Sequence, residues 1–381
     1  MMPRKSILKK KNQMPKAQET VLQIDLGALT HNFNYLKSKL KPNTKFLAVV
    51  KAFAYGSDSI EVAKHLQKLN VDYFAVAYTK EGVALREAGV TSPILVLHPQ
   101  SLNFKTIIEK CLEPSIYNAK VLNEFIAVAK EQSQSNYPVH IKFNTGLNRL
   151  GFWENDIDDI VSLLKNTETI IVKSIFSHLA ASEDANEVDF THQQIKTFTT
   201  IAEEFIRKIR YNPWLHLCNT SGVLNYPEAH YDMVRCGIGL YGFGNSAEED
   251  KNLIPIASLK SVISQIHNIK KGETVGYNRA YKSKGYEKTA TVPIGHADGI
   301  NRIYGNERGY VIINGEKAPI IGNVCMDMIM VNISNIDCKE GDEVILFNSN
   351  NKASNLAESA HTISYEILTS ISQRVKRLFI F

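Results

Sequence analysis

From Phe46 to Tyr241 the chain alternates between short apolar, β-branched runs and longer segments with one apolar face. The apolar runs fall at 46–50, 73–78, 93–98, 114–118, 138–145, 170–179, 214–220 and 234–241. Amphipathic stretches at 59–70, 80–89, 102–111, 119–132, 155–166 and 182–210 separate most of them. Strand–helix alternation at this spacing predicts a parallel sheet. Eight repeats over roughly 200 residues predict that the sheet closes into a (β/α)8 barrel. An open doubly wound sheet is the competing architecture, but no glycine-rich phosphate turn follows the first run.

Ahead of the first repeat, 21–26 reads as a strand. The next segment, 25–40, reads as a helix with Leu29, Phe33, Leu36 and Leu40 on one face. Beyond Ile254 the pattern changes. Short strand-like runs at 257–269, 288–294, 309–314, 318–322, 328–333 and 343–347 are separated by turns such as Lys271-Gly272, Asn314-Gly315 and Glu340-Gly341. A closing helix is expected at 365–373. The expected fold is therefore α/β plus β: a basic disordered leader at 1–20, an N-terminal (β/α)8 barrel at 21–253, and a C-terminal mostly-β domain at 254–381.

Composition narrows the class of partner. The net charge of +5 resides in residues 1–20, where six cations face the single acid Glu19. The remainder is neutral overall, so neither a nucleic acid nor a membrane surface is expected as a partner. No stretch has the length of a membrane span, and no signal-peptide core is present. The five cysteines (111, 218, 236, 325 and 338) form no CxxC pair. This predicts reduced thiols, a cytoplasmic location and no metal site.

The chemistry collects where a barrel's strands end, because active sites of this fold lie at that face. Lys51 ends the first apolar run, and Tyr55-Gly56 follows in a turn. A lysine there must be paired or must lose proton affinity. A desolvated lysine is also the usual amine for Schiff-base chemistry with a carbonyl cofactor. The other strand ends carry Lys142, Asn144 and Arg149, then His178, then His216, Asn219, Thr220 and Ser221, then Arg235, Gly237 and Ile238. This is a polar ring on an otherwise apolar barrel.

Many of these residues stand in motifs that resemble the alanine racemase family. Val49-Val50-Lys51-Ala52-Phe53-Ala54-Tyr55-Gly56 resembles the family's pyridoxal-phosphate lysine motif, with Phe53 where asparagine is usual. The segment 142–151 resembles the substrate-carboxylate motif, with Asn144 in place of the usual aspartate. Asn219-Thr220-Ser221 and Arg235-Cys236-Gly237-Ile238 resemble the cofactor-phosphate and pyridine-nitrogen turns. In the second domain, 275–281 resembles the motif of the second catalytic tyrosine. The segment 293–299 resembles a further signature, with His296 for tyrosine, and 322–327 resembles the substrate-contacting segment.

The resemblance implies an alanine racemase. It interconverts L- and D-alanine by two bases on pyridoxal 5'-phosphate and supplies D-alanine for peptidoglycan. It implies Lys51 and Tyr277 as catalytic residues. Lys51, Tyr55, His178, Asn219, Thr220, Arg235, Gly237, Ile238 and Tyr365 would bind cofactor. Arg149, Met326, Arg302 and a carbamylated Lys142 would serve the substrate, and His216 would support them. It also implies a homodimer whose sites are shared between chains. Two rival readings share the barrel: a non-enzymatic pyridoxal-phosphate-binding protein, which lacks the β domain, and a racemase of broader specificity acting on serine.

Overall fold

The computed structural model describes residues 17–381. The basic run of the expected leader lies outside the described residues. The last residues assigned to that leader are not loose. The Ala17 N–H donates to Glu343 Oε2 at 2.6 Å, and the Thr20 hydroxyl donates to the Pro293 carbonyl at 2.6 Å.

Strand β1 (Val21–Asp25) runs straight into a helix at Leu26–Lys37. Asp25 caps that helix by accepting the Ala28 N–H at 2.9 Å. The helix buries Leu29, Phe33 and Leu36, the face read from the sequence. Eight short strands follow: β2 (Lys45–Val49), β3 (Tyr73–Val76), β4 (Ile94–Val96), β5 (Glu113–Ile116), β6 (Tyr137–Lys142), β7 (Ile170–Phe176), β8 (Trp214–His216) and β9 (Met233–Cys236). All neighbouring pairs are parallel, in the row β8-β7-β6-β5-β4-β3-β2-β9. The ends of the row meet. The Asp232 N–H donates to the Leu215 carbonyl at 3.1 Å and the Arg235 N–H to the Cys218 carbonyl at 3.0 Å. The row thus curls into the expected barrel, and the open-sheet alternative falls.

The strands are apolar on both faces because helices cover them outside and side chains fill them inside. Phe46, Leu47, Ala48, Phe74, Ile94, Leu95, Ile141 and Ile175 are wholly buried. The covering helices lie at Ser59–Lys68, Thr79–Glu87, Phe104–Glu109, Ala119–Glu131, Ile157–Lys165 and Val188–Ile209. The connection between β8 and β9 holds only a short helix, Thr220–Asn225, which the periodicity does not reveal.

The β region contains β10 (Ala257–Val262), β11 (Gln265–Ile269), β12 (Thr274–Val275), β13 (Tyr281–Lys282), β14 (Glu287–Val292), β15 (Tyr310–Ile313), β16 (Glu316–Ile321), β17 (Ile329–Asn332) and β18 (Glu343–Phe347). Its main sheet is antiparallel in the order β11-β14-β17-β16-β15-β18-β10. The single run expected at 257–269 is in fact two strands. The Ile263 N–H bonds to Asp342 and the Ser264 N–H to Thr291, so consecutive residues belong to different neighbours.

Compactness divides the chain differently from the expected 21–253 and 254–381. One unit holds Leu22–Ser258, Asn348–Gln373 and Arg377–Phe381; the other holds Leu259–Phe347, Arg374–Lys376 and, of the preceding described residues, 17–21. The last stretch joins the barrel because it is helical and apolar where it touches it. Helices at Ala353–Ser359 and Ser364–Ser370 bury Leu356, Ala357, Ile367 and Leu368. A final strand, β19 (Lys376–Ile380), follows. The Arg377 guanidinium donates twice to the Gly56 carbonyl, at 3.0 and 2.9 Å.

Gly56 marks the tightest point of this closure. Its φ is +84°, and an added Cβ would lie 2.1 Å from the Leu368 carbonyl oxygen. Gly56→Ala is therefore expected to lower stability by about 2–3 kcal/mol, from left-handed strain and the clash together. Thermal unfolding of the purified protein would show this as a drop of several degrees; an unchanged midpoint would contradict the close approach.

Candidate active site

Strand β2 delivers Lys51 to the mouth of the barrel, and the backbone then does something unusual. Ala52, Phe53, Ala54 and Tyr55 all have positive φ, at 53°, 56°, 51° and 52°. This is one left-handed helical turn of non-glycine residues, which costs about 1–2 kcal/mol per residue. Several contacts hold it. The Ala54 N–H reaches the Val50 carbonyl at 3.1 Å and the Gly56 N–H the Ala52 carbonyl at 3.0 Å. Glu81 accepts the Ala52 N–H at 2.7 Å. The Tyr55 ring stacks on Tyr241 with centroids 4.4 Å apart, and Arg377 lies over the Phe53 ring at 5.4 Å. Strain of this kind collects at functional sites. Its effect here is to turn Lys51 and Tyr55 into the same space.

That space is a cavity of about 440 Å³ lined by Lys51, Tyr55, Lys142, Arg149, His178, Asn219, Thr220, Arg235, Gly237, Ile238 and Tyr365. Eleven separately read residues thus meet at one site. Four of them are cations, and no aspartate or glutamate lines the cavity. Burial, with Arg149 beside it, lowers the proton affinity of the Lys51 amine, and Glu81 only partly opposes this. Lys142 is pushed down to about 8 by burial, with Arg149, Arg235 and Lys51 all adding to the effect. A cavity with this charge pattern calls for an anionic ligand.

Arg235 is the hub of the barrel side. It is 5% exposed, and it meets carbonyls and imidazoles. Nη2 donates to the carbonyls of Ser177 at 2.7 Å and Leu217 at 3.0 Å, and to His178 Nδ1 at 3.0 Å. Nη1 donates to His216 Nδ1 at 2.9 Å and to the His216 carbonyl at 3.2 Å. Burial pushes its pKa down to about 10, so the guanidinium is still charged at neutral pH. Because Arg235 can only donate, both His Nδ1 atoms must carry lone pairs. Burial and the Arg235 charge hold His178 and His216 well below the ordinary imidazole range, so both are neutral. His216 is not on the cavity wall. It lies one layer behind, stacked on Phe176 with centroids 4.7 Å apart.

The loop after β6 presents Arg149. Asn144 Oδ1 accepts the N–H groups of Gly146 at 3.2 Å and Asn148 at 2.9 Å, and its Nδ2 donates to Asn148 Oδ1 at 2.8 Å. The first two bonds are those a carboxylate would make; the third needs the amide. Across the mouth, Thr220 Oγ1 accepts the Gly237 and Gly239 N–H groups, each at 3.3 Å. A Cβ at Gly237 would come within 2.4 Å of the Tyr55 hydroxyl. Side-chain-free backbone at 237 thus leaves room for a ligand oxygen beside Tyr55 and Thr220. Asn219 Oδ1 accepts from the Ser182 hydroxyl and the Gly222 N–H, both at 2.8 Å, which fixes the turn.

Tyr277, Met326 and Arg302 belong to the β unit. Tyr277 is 74% exposed and Met326 58% exposed. Hydrogen bonds and an ion-pair cluster tie neighbouring segments of that unit together. The His296 and Ala297 N–H groups donate to the carbonyls of Cys325 at 2.9 Å and Met326 at 3.0 Å. Arg374 clamps Asp298 at 2.7 and 3.0 Å and Asp327 at 2.6 Å. The Tyr277 carbonyl accepts from Asn323 Nδ2 at 3.1 Å.

Sequence reasoning passed over other residues of the cavity wall, including Tyr78, His98, Phe176 and Asn245. Phe176 had a signal: it ends the strand two residues before His178, and its ring faces the Arg235 guanidinium at 5.3 Å and the Lys142 amine at 5.8 Å. Tyr78 and His98 follow strands on loops, where periodicity is silent.

A parallel barrel with a desolvated lysine and a cationic cradle at its mouth, in a chain with a separate β unit, defines a two-unit barrel protein built to hold an anionic ligand beside an amine. The comparisons narrow this further. The family models for the N-terminal and C-terminal domains of alanine racemase match residues 24–244 and 256–379. An alanine racemase of Thermodesulfovibrio yellowstonii is 35% identical over 94% of this chain and 97% of its own. Alanine racemase 2 of Bacillus subtilis is 34% identical over 95% of both chains. The solved structure of alanine racemase from Clostridium difficile superposes with a TM-score of 0.90 at 34% identity, covering 96% of each chain. That of Bacillus anthracis, solved with bound L-Ala-P, gives 0.89 at 30% identity, covering 97% of this chain and 96% of its own. The chain belongs to the alanine racemase family, and it is an enzyme, a racemase.

The two perturbed lysines make a measurable difference. At about pH 8 roughly half of Lys142 is neutral, against less than about 1% of an ordinary surface lysine. In protein freed of bound aldehyde cofactor and of dissolved carbon dioxide, a limiting amount of a small acylating reagent should therefore label Lys51 and Lys142 ahead of exposed lysines such as Lys105, as read by peptide mass spectrometry. Labelling led by the exposed lysines would contradict the desolvated cluster.

Proposed function

We propose that the cavity at the barrel mouth holds pyridoxal 5'-phosphate and that this enzyme interconverts L- and D-alanine there. The observation that carries the reading is the charge pattern: a lysine amine of lowered proton affinity, three further basic side chains and, among the described residues, no carboxylate around one cavity. A phosphate ester and a substrate carboxylate are anions such a cavity can take. The donor set fits. Lys51 offers an amine for the aldehyde. Tyr55, Thr220, Asn219, Tyr365 and the backbone at Gly237 and Ile238 offer neutral contacts for a phosphate. Arg235 and His178, on the same cavity wall, would face its ring.

Bound pyridoxal phosphate supplies an electron sink that makes the α-proton of an amino acid removable. The residues do the rest. Lys51, with its proton affinity lowered by burial, takes or returns the α-proton on one face, and Tyr277 does so on the other. Arg149 orients the substrate carboxylate, with the Met326 backbone and Arg302 toward the entrance. Arg235 would face the ring nitrogen as a donor that does not give up its proton, which would favour racemisation over transamination. His216 holds Arg235 in that orientation.

Lys142 suits carbamylation: its neutral amine adds carbon dioxide and releases a proton, so a cation becomes an anion between Arg149 and Arg235. Asn144 cannot provide that charge. Protein equilibrated with ¹³C-bicarbonate should give one carbamate carbon resonance, absent in Lys142→Arg. No such resonance in the wild type would remove this part of the proposal.

The exposed Tyr277 is assigned to the partner's site in a homodimer, so each site combines Lys51 of one chain with Tyr277 of the other. Lys51→Ala and Tyr277→Phe chains should each be inactive, and mixed heterodimers should regain one good site. If demonstrated chain exchange restores nothing, sharing is wrong. The five free cysteines, two of them fully buried, suit a reducing cytoplasm. There the product D-alanine would feed peptidoglycan synthesis.

The first experiment is an absorbance spectrum of wild type and Lys51→Ala with added pyridoxal phosphate, followed by chiral analysis of products from L-alanine. The wild type should show a lysine-bound visible band and D-alanine; the variant should show neither. A band without racemisation would favour the cofactor-binding alternative, against which the match to both domain models already speaks.

A further inference from the structure

Behind Arg235 a line of polar side chains crosses the barrel interior, where branched aliphatic residues are the usual filling. His216 Nε2 lies 2.8 Å from Ser174 Oγ. Ser174 Oγ lies 2.6 Å from His140 Nδ1, and His140 Nε2 lies 2.6 Å from Glu113 Oε2. The Tyr73 hydroxyl donates to the same carboxylate oxygen at 3.0 Å. His140, Ser174 and His216 are wholly buried, while the Glu113 side chain is 13% exposed. Tyr73 and Glu113 open β3 and β5, at the end of the barrel away from the cavity. His216 closes β8 beside the cavity.

The two ends of this line are one-way groups. Arg235 can only donate, and the Glu113 carboxylate can only accept. Arg235 Nη1 therefore requires a lone pair on His216 Nδ1. Neutral His216 then carries its proton on Nε2 and donates to Ser174. Ser174 has one proton and gives it to His140 Nδ1, and His140 donates from Nε2 to Glu113. Every bond runs the same way, from cation to carboxylate, with no frustrated step. Bonds aligned head to tail polarise one another in a low-dielectric interior. Arg235, which has no carboxylate against it, thus has one at the far end of the line.

We propose that Glu113, His140 and Ser174 are positioning residues that fix His216 with its Nδ1 lone pair toward Arg235 and so hold the guanidinium aimed at the mouth of the barrel. The proposal deepens the reading given above, since Arg235 meets a cofactor ring only if that reading holds. The chain itself does not depend on it.

Histidine ring nitrogens labelled with ¹⁵N report tautomers directly, and the full-length protein can be measured before and after adding pyridoxal phosphate. The His216 signals are assigned by their loss in His216→Gln. In the wild type without cofactor, His140 and His216 should both be protonated on Nε2 and bare on Nδ1. Glu113→Gln replaces the acceptor-only end with an amide that can donate; His140 should lose its single tautomer, and the His216 nitrogens should shift. Ser174→Ala cuts the line in the middle, so His216 should shift while His140 keeps its proton on Nε2. Both variants should weaken pyridoxal phosphate binding on the order of tenfold, as loss of outer-shell partners does at metal sites. A wild-type His216 protonated on Nδ1 overturns the proposal, as do two variants that leave the His216 signals in place. If Glu113→Gln fails to fold, the wild-type tautomers and Ser174→Ala still decide. A wild type that shows the expected tautomers but binds no pyridoxal phosphate would sink the cofactor reading alone.

Discussion

A charged guanidinium buried inside a barrel is the constraint around which this structure is arranged. Removing an ion from water costs several kcal/mol even after relaxation, and the usual remedy is an adjacent carboxylate. Arg235 has none in contact. Its five bonds go to three main-chain carbonyls and two imidazoles, all contributed by β7, β8 and the residues just beyond them. Those carbonyls are available because the strands are ending: Ser177 and Leu217 lie one residue past the ladders and have acceptor capacity to spare. The end of the barrel therefore solvates the cation with peptide dipoles and leaves its positive charge uncompensated at close range. Together with Lys51, Lys142 and Arg149 this makes the cavity anion-seeking, and it keeps the amines around it short of protons.

The left-handed turn after Lys51 is the second element that does not come free. Four non-glycine residues at positive φ cost about 4–8 kcal/mol together, and local hydrogen bonds do not offset that alone. The C-terminal segment 348–381 supplies much of the rest. Arg377 binds the Gly56 carbonyl and also covers Phe53, the Leu368 carbonyl packs where a Gly56 side chain would stand, and Tyr365 packs beside Tyr55 at 5.9 Å. The residues that finish the chain thus hold the residues that begin its chemistry. This is why, apart from Arg374–Lys376, they pack with the barrel and not with the strands they follow in sequence.

Much of this was legible before any coordinates. The barrel follows from alternation, and the Lys51, Lys142, Arg149, His178 and Arg235 cluster follows from asking which residues end strands. Connections made by geometry without periodicity were not legible. The turn Ala52–Tyr55 reads as ordinary sequence, because alanine and phenylalanine carry no mark of positive φ. The split of 257–269 into two strands depends on which neighbours Ile263 and Ser264 find. The placement of 348–373 depends on the complementarity of Leu368 to a glycine three hundred residues away. Glu113 and His140 gave no signal either, since a polar residue in a strand is ambiguous until its partners are known.

The departures from the family's motifs become intelligible when each is set beside its neighbours. Phe53 offers an aromatic face where asparagine is usual, and Arg377 occupies that face, so the substitution adds a contact to the strained turn. Asn144 keeps the two acceptor bonds that shape the loop and adds a donor bond to Asn148, so Arg149 is presented even though a charge is lost. His296 is held through its backbone by Cys325 while its side chain stays exposed, so the signature it interrupts keeps its main-chain geometry. In all three the local geometry is held by contacts this chain supplies while the side-chain chemistry differs from the family motif. The change at 144 removes a negative charge near Arg149. If Lys142 carries the proposed carbamate, it would place between Arg149 and Arg235 an anion that Asn144 cannot supply.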